Sequence, residues 1–266
     1  MKDTFSFWMR TNLKDAYSGL ITQDIDFVFI SKQKDYFFFI EEKNSRNARV
    51  GPAQKIIFKL FNDYLLNNNP KFLGTHILYI LSPNENEANE ILLKINKIKP
   101  GRIVKPSYEI EEYILRRLWD CKGNPPKKKT ETERSQYRGS YIRVYLDKVR
   151  EDFLFVDNIH WIFVNYCTGY FIFIEELTNN KEIEEERKNF INTIDEIFRV
   201  NQNSIAKNPK SCALYRYLGY YQLKFSQTNP DNSREIYLNS KKISKEELID
   251  VLNLYDNKIL GYLQLK

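Results

Sequence analysis

The sequence predicts an α/β protein built from two similar halves, each a mixed β-sheet flanked by helices. The first observation is an internal repeat, because residues 25–42 align without gaps with residues 159–176 and are identical at eight of eighteen positions. The second is the order of patterns, since each half contains two consecutive β-rich, aromatic runs. The third is composition: 42% of the 266 residues are hydrophobic and 15% are aromatic, which suffices for large globular cores.

The individual elements follow from the patterns of the first half. Two β-rich runs flank a polar turn at residues 31–34, which predicts a hairpin, and the aligned turn of the second half is at 165–168. Residues 75–82 predict a further strand and residues 110–119 a last helix. Between the hairpin and this strand another helix is predicted, because apolar residues recur at the spacing of one helix face: Ala53, Ile56, Ile57, Leu60, Phe61, Tyr64 and Leu65.

The repeat extends beyond the hairpins. Two further pairs of segments follow in the same order, namely residues 72–92 with 217–237, and residues 107–118 with 240–252. Three paired blocks in one order indicate a tandem duplication. We therefore predict one domain at residues 1–120, a linker at 121–138 and a second domain at 139–266.

The predicted linker carries most of the net positive charge of +6, since residues 121–138 contain six basic and two acidic residues. The segment has no apolar periodicity, and a proline pair precedes Lys127, Lys128 and Lys129. These features predict an exposed connection. Two interpretations stay open: a solvated tether, or an electrostatic contact with nucleic-acid phosphates.

Composition also disfavours several classes of function. The three cysteines and two histidines form no Cys-x-x-Cys pair and cannot supply a zinc-finger pattern. Catalysis is therefore expected from carboxylates, lysines or a carboxylate-bound metal. The sequence has no run of eighteen apolar residues and no amino-terminal pattern of a secretory signal, so we expect a cytoplasmic protein.

The two halves differ in their polar residues at the hairpin. Asp26 opens one strand, while Glu41 and Lys43 lie two residues apart near the end of the other and therefore share a face. Hard cations such as Mg²⁺ bind carboxylate oxygens, and a lysine beside them can orient water and offset phosphate charge. This set suits a metal-dependent phosphodiesterase. The second half retains one of the three residue types, with His160, Glu175 and Leu177 at the aligned positions.

The combination resembles the PD-(D/E)XK nuclease superfamily, which has the restriction-endonuclease-like fold and includes many restriction enzymes and junction resolvases. The resemblance covers residues 8–82 and implies that Asp26 and Glu41 bind Mg²⁺, with Mn²⁺ as a possible substitute, and that Lys43 is catalytic. Gln54 is similar to the glutamine of a Gln-x-x-x-Tyr element in some branches, which implies a catalytic role for it, although Phe58 stands where that tyrosine would fall. The chain also departs from the pattern in lacking a proline before Asp26 and a clear acidic residue on the first helix.

The resemblance implies two tandem restriction-endonuclease-like domains, one of them degenerate, in a monomer with internal pseudo-two-fold symmetry. A metal-dependent endonuclease with a single active site is then the leading hypothesis, with DNA as the expected substrate. Lys55 and Lys59, on the predicted helix after the site, are either solvated or in contact with phosphates. Three alternatives stay open: a catalytically silent nucleic-acid-binding protein, an RNA-cleaving relative, and an ordinary charged strand end without a site.

Overall fold

A computed structural model of the protein describes residues 4–31, 36–43, 49–65, 69–81, 92–99, 102–104, 153–179, 181–201 and 215–254. Within these ranges the protein is α/β, with a mixed sheet flanked by helices, as predicted. The predicted helix at 110–119 and the predicted linker at 121–138 lie outside the described residues. No helix in the described ranges is both long enough and apolar enough to cross a membrane.

The described elements are, in chain order, α1 (Phe5–Asn12), β1 (Leu20–Ser31), β2 (Phe37–Lys43), α2 (Pro52–Leu65), β3 (Phe72–Leu81), β4 (Leu92–Lys99), β5 (Arg102–Val104), β6 (Phe153–Asn165), β7 (Tyr170–Thr178), α3 (Glu185–Val200), β8 (Arg216–Phe225), β9 (Ile236–Leu238), β10 (Lys241–Ile243) and α4 (Lys245–Asn253). A short 3-10 turn at Ala16–Ser18 precedes β1. Helix α1 has no counterpart among the elements that the sequence predicted.

The chain forms two compact units that combine residues from both sequence halves. Unit 1 contains Met1–Asp24, Asp63–Asn68 and Ile159–Lys266, and unit 2 contains Ile25–Asn62 and Asn69–Asn158. Strand β1 therefore begins in unit 1 and continues in unit 2, while β6 begins in unit 2 and continues in unit 1.

In unit 2, a hairpin joins β1 to β2 and a helical crossover joins β2 to β3. Strands β1 and β2 pair antiparallel, and α2 then carries the chain to β3, which pairs in parallel with β2. Strands β4 and β5 extend the sheet with antiparallel pairing. Because β2 lies between two strands and is covered on both faces, Phe37 to Ile40 are all buried and its sequence is a continuous apolar run without alternation.

Unit 1 repeats this order. The hairpin of β6 and β7 is followed by α3 and then by β8, which pairs in parallel with β7. The register of the two hairpins is the same under the sequence alignment: Phe29 faces Phe38, and the aligned Phe163 faces Ile172. The gapless alignment therefore describes the backbone pairing as well as the sequence.

A β-bulge interrupts both parallel pairings at the same aligned place. In unit 2 the register of β2 and β3 shifts between Phe37 and Phe39, and in unit 1 that of β7 and β8 shifts after Phe171. A glycine lies within each shift, Gly74 with φ 101° and Gly219 with φ 140°. Glycine fits because a side chain is strained at such φ values.

The core of unit 1 includes the amino-terminal helix. Phe5, Trp8 and Met9 of α1 are buried in one apolar cluster with residues of β6 to β10 and α4. Their spacing of three and four residues places them on one face of the helix. Thr4 caps its first turn by accepting a hydrogen bond from the Phe7 N–H. Complete burial of such large side chains stabilises the unit by about 1.5–3 kcal/mol each.

Candidate functional site

The predicted site residues of unit 2 lie together on one face of the β1–β2 hairpin. Phe27 pairs with Ile40, and continuing this register by one residue sets Asp26 across from Glu41. Opposite residues on antiparallel strands point to the same face, with their Cβ atoms about 5 Å apart. Lys43 follows two residues after Glu41 and projects from the same face. The hairpin therefore brings the two carboxylates and the lysine to one place.

Glu41 is at the centre of this group. Its side chain is almost completely buried, with the residue 3% exposed. Oε1 accepts one hydrogen bond from Lys43 Nζ, at 2.5 Å, and another from Gln54 Nε2. Two donors on one oxygen fix the orientation of the carboxylate, and low exposure to water strengthens the attraction between its charge and the ammonium group.

Gln54 links the site to the start of α2. As the third residue of the helix, it accepts a hydrogen bond from the Gly51 N–H through Oε1, at 3.2 Å, while its Nε2 donates to Glu41. The first bond is one half of a capping box, which satisfies an amide before the helix begins. Gln54 therefore combines a helix-start role with direct contact to a predicted metal ligand.

Asp26 is positioned by the neighbouring strand. Its Oδ2 accepts a hydrogen bond from the Glu42 backbone N–H at 2.7 Å. This bond holds the half-buried carboxylate against β2, next to the position of Glu41. The orientation of both predicted ligands is thus determined by hydrogen bonds within unit 2.

The donor set of the hairpin suits Mg²⁺ in ligand chemistry. Among the residues that the structure describes, no three side chains of His, Cys, Asp or Glu form a metal-binding group. Mg²⁺ does not need three, because it retains several waters and is commonly held by one or two carboxylates. Asp26 and Glu41, on the two strands of the hairpin, would be two hard oxygen ligands of this kind.

The predicted phosphate-binding lysines are placed only in part. Lys55 is exposed on the first turn of α2, immediately after Gln54, and Lys59 is half-buried one turn later. Lys127, Lys128 and Lys129 lie outside the described residues. The lysines of α2 are therefore on the helix that begins at the site, and the linker lysines remain a prediction.

Glu175 of unit 1, which aligns with Glu41, forms a buried ion pair. Arg187 of α3 binds this carboxylate with both arms, Nε to Oε1 at 2.9 Å and Nη2 to Oε2 at 2.5 Å. The Tyr220 hydroxyl also donates to Oε2, at 3.2 Å. Glu175 is 2% exposed, so the guanidinium group supplies the positive charge that a buried carboxylate requires.

His160 reproduces the backbone contact of Asp26. The Glu176 N–H donates to His160 Nδ1 at 3.3 Å, as the Glu42 N–H does to Asp26. The same ring nitrogen lies 3.5 Å from Glu175 Oε1. The local scaffold is repeated while its chemistry differs.

Three polar contacts of the two helices that follow the hairpins were not predicted from the sequence. Arg187 occupies the place relative to Glu175 that Gln54 occupies relative to Glu41. In addition, Asn62 on α2 accepts from the Thr75 N–H at 3.1 Å, just as Asp195 on α3 accepts from the Tyr220 N–H at 3.0 Å. A signal was available, because shifting the helices by 133 residues aligns these pairs as well as their apolar faces.

Burial changes the acid–base properties of several groups in unit 1. Burial raises the pKa of the Glu176 carboxyl, while the Trp161 indole N–H, 2.6 Å from Oε2, lowers it and Glu175 raises it further. Burial also raises the pKa of Tyr221 to about 12. The Tyr221 hydroxyl donates to the Leu218 carbonyl at 2.6 Å.

Comparison with known proteins finds archaeal relatives. One Archaeoglobus fulgidus protein is 52% identical over 143 residues, which cover 51% of this chain and 93% of that protein. The chain belongs to the same family. A second member from that organism is 50% identical over 135 residues, covering 46% of this chain and 92% of that protein. Both relatives carry the description "Uncharacterized protein".

These family members are much shorter than the present chain. About half of this chain matches more than nine-tenths of each relative. No family model matches the sequence, and no solved structure matches it. The comparisons therefore establish kinship with half-length archaeal proteins.

Proposed function

We propose that this protein is a metal-dependent endonuclease that hydrolyses DNA phosphodiester bonds at a single site formed by Asp26, Glu41, Lys43 and Gln54. The proposal is carried by one observation: Lys43 and Gln54 both bind the buried Glu41 carboxylate, while Asp26 is held on the neighbouring strand by the Glu42 backbone N–H. A lysine charge and an oriented amide beside two hard oxygen ligands suit phosphodiester hydrolysis.

The proposed roles follow from the positions of the groups. Bound Mg²⁺ would supply Lewis-acid activation of the phosphate and of water, held by Asp26 and Glu41. Gln54 keeps the Glu41 carboxylate in one orientation. Lys43 orients the attacking water and stabilises the negative charge that develops on the phosphate as the new P–O bond forms and the old one breaks.

The second half is proposed to be a degenerate copy of the same restriction-endonuclease-like domain. The repeated hairpin register and the aligned bulges support a duplication. Around Glu175, however, Arg187 forms an ion pair with the carboxylate, and Leu177 stands at the position aligned with Lys43. The protein would then be a pseudo-dimer that cuts one strand per encounter.

A catalytically silent binding protein is the second candidate, because a purely structural ion pair would also explain a buried Glu41 bound to Lys43. An assay separates the two. Supercoiled plasmid, single-stranded DNA and structured RNA are incubated with the protein in Mg²⁺, Mn²⁺ or EDTA. Metal-dependent nicking of plasmid supports the endonuclease, cleavage confined to RNA would change the substrate, and binding without cleavage would favour the silent protein.

Matched substitutions at the two aligned glutamates test the site itself. Glu41→Gln should reduce metal-dependent cleavage by at least ~10²-fold, since a charged ligand is removed. Asp26→Asn and Lys43→Ala should do the same. Glu175→Gln is the control, because it changes the aligned carboxylate of unit 1. Equal losses in the two glutamate variants, with folding verified by circular dichroism, would contradict a single site in unit 2.

A further inference from the structure

The amino-terminal segment of the chain is a built-in part of unit 1. Phe5 and Trp8 are 1% and 2% exposed, and both lie in an apolar cluster whose other members, apart from Met9 and Leu20, come from the second sequence half. Phe5 packs against Trp161 and Phe225, with ring centroids 6.0 Å and 5.4 Å apart. Helix α1 therefore completes a core whose remaining buried residues, apart from Leu20, belong to Ile159–Lys266.

Polar contacts fix the same segment at three separate points. The Trp8 indole N–H donates to Asp231 Oδ1 at 3.1 Å, and the Lys14 N–H donates to Asn253 Oδ1 at 2.9 Å. Farther along, the Gly19 carbonyl accepts from the Tyr166 N–H at 3.0 Å. Apolar burial and directional bonds together indicate a specific fit and not a loose association.

Each sequence half also contributes further residues to the unit that is formed mainly by the other half. Phe153, which opens the hairpin of the second sequence half, belongs to unit 2 and packs edge-on against Phe29 and Phe38 at 5.1 Å and 5.9 Å. From the first half, Tyr64 belongs to unit 1, where its hydroxyl donates to the Phe198 carbonyl at 3.1 Å. Neither sequence half contains a complete unit.

We propose that the two sequence halves are mutually obligatory partners that remain associated without the linker between them. The contacts that each half makes with residues of the other support this, namely those of Trp8 with Asp231, of Phe153 with Phe29 and of Tyr64 with Phe198. Unit 1 shows what each half contributes to the association. The first half provides the apolar face of α1 with Phe5 and Trp8, and the second half provides the Asp231 carboxylate that accepts a hydrogen bond from the Trp8 indole N–H.

Contacts with the second sequence half also help to position the candidate site, an inference that rests on the proposed function. Strand β1 passes from unit 1 to unit 2 between Asp24 and Ile25, and Asp26 is the next residue. The second half thus anchors the strand that carries one predicted metal ligand. Its contribution to cleavage would be to hold that strand in place, although its own hairpin lacks the full set of site residues.

Cleavage of the folded, full-length protein tests the association. A protease recognition sequence is inserted in the predicted linker 121–138, and the cut protein is diluted and followed by native mass spectrometry and size-exclusion chromatography. We expect both fragments to stay in one complex at nanomolar concentration. Separation of the cut protein into two independently folded halves would overturn the proposal.

Two substitutions on α1 provide a matched comparison. Trp8→Ala should raise the dissociation constant of the cut complex by about 10²-fold, because a large buried side chain is removed. Phe7→Ala is the control, since Phe7 is 38% exposed on the same helix. Equal dissociation constants for the two variants would overturn the role of the buried face.

Activity is read separately from association. If the cut complex nicks plasmid and loses this activity on dilution in the Trp8→Ala background, the second half anchors the cleaving half. If the uncut protein never nicks plasmid, the proposed function fails while the association result still stands. If the cut Trp8→Ala halves have separated and still nick at the parental rate, the anchoring role is wrong.

Discussion

Glu41 and Glu175 occupy aligned positions and are both almost completely buried, yet their cationic partners come from different elements. Lys43 reaches Glu41 from the same strand, whereas Arg187 reaches Glu175 from a helix. A lysine can turn its point charge toward a phosphate or water, while a bidentate guanidinium is fixed on its carboxylate. This difference at single residues separates a candidate reaction site from a structural ion pair.

Gln54→Ala should slow cleavage more than it weakens DNA binding, because Gln54 contacts the Glu41 carboxylate. The rate constant and the dissociation constant are measured across a Mg²⁺ titration. Lys55→Ala is the comparison, since Lys55 is exposed on the next position of the helix and should affect binding more than rate. An unchanged cleavage rate in Gln54→Ala would contradict a role in the reaction and would assign Gln54 only to the helix-start hydrogen bond with Gly51.

Arg187→Ala should lower the free energy of unfolding by about 3 kcal/mol, because it leaves the buried Glu175 carboxylate without its positive charge. Urea denaturation measures the loss, and adding Glu175→Gln should recover part of it. Lys188→Ala removes an exposed ion pair with Glu185 on the same helix and should cost less than about 1 kcal/mol. A loss no larger in Arg187→Ala than in Lys188→Ala would contradict a stabilising role.

At the scale of elements, the hairpin and the helix after it were largely predictable. The alignment predicted the shared hairpin register, and the apolar spacing from Ala53 to Leu65 predicted α2, which begins one residue earlier at Pro52. These signals are local and periodic. The bulges and helix α1 were not predicted, because a bulge depends on the neighbouring strand and a helix of eight residues depends on the core that covers it.

Gly219→Ala tests the bulge of unit 1. Its φ of 140° strains any other residue, and an added Cβ would lie 2.6 Å from Arg199 Nη2 and 2.8 Å from the Tyr221 hydroxyl. We expect a loss of about 1–3 kcal/mol in the free energy of unfolding. Gly51→Ala is the control, since its nearest neighbour would be 4.0 Å away, and thermal unfolding of both variants should show the difference.

At the scale of the whole molecule, the compact units cut across the sequence halves. Residues 4–24 and 63–65 of the first half belong to unit 1, and residues 153–158 of the second half belong to unit 2. The internal repeat predicted the two hairpins correctly. A sequence alignment of the two halves does not show, however, whether the end of a strand packs against its own half or against the other half. That choice depends on contacts between residues more than a hundred positions apart, such as Trp8 with Asp231.

The predicted basic linker at residues 121–138 belongs to the same scale, because its expected effect on DNA affinity depends on charge. Replacing Lys127, Lys128 and Lys129 by alanine should lower DNA affinity and flatten its salt dependence by up to ~0.9 log unit for each phosphate that the lysines no longer neutralise. The comparison is a triple variant of Lys188, Lys242 and Lys245, which removes the same charge from lysines already paired with carboxylates. Equal slopes in the two variants would indicate an effect of net charge alone.

The sequence by itself determined the α/β class, the aligned hairpins and the three residue types that meet at the candidate site. Period-two and 3.6-residue patterns are local, so they specify strands, helices and the face on which Asp26, Glu41 and Lys43 emerge. Only the tertiary structure decided that Gln54 and Arg187 reach the aligned glutamates and that α1 completes the core of unit 1. Those outcomes depend on the burial of apolar surface and of charge between segments distant in sequence, which no local pattern encodes.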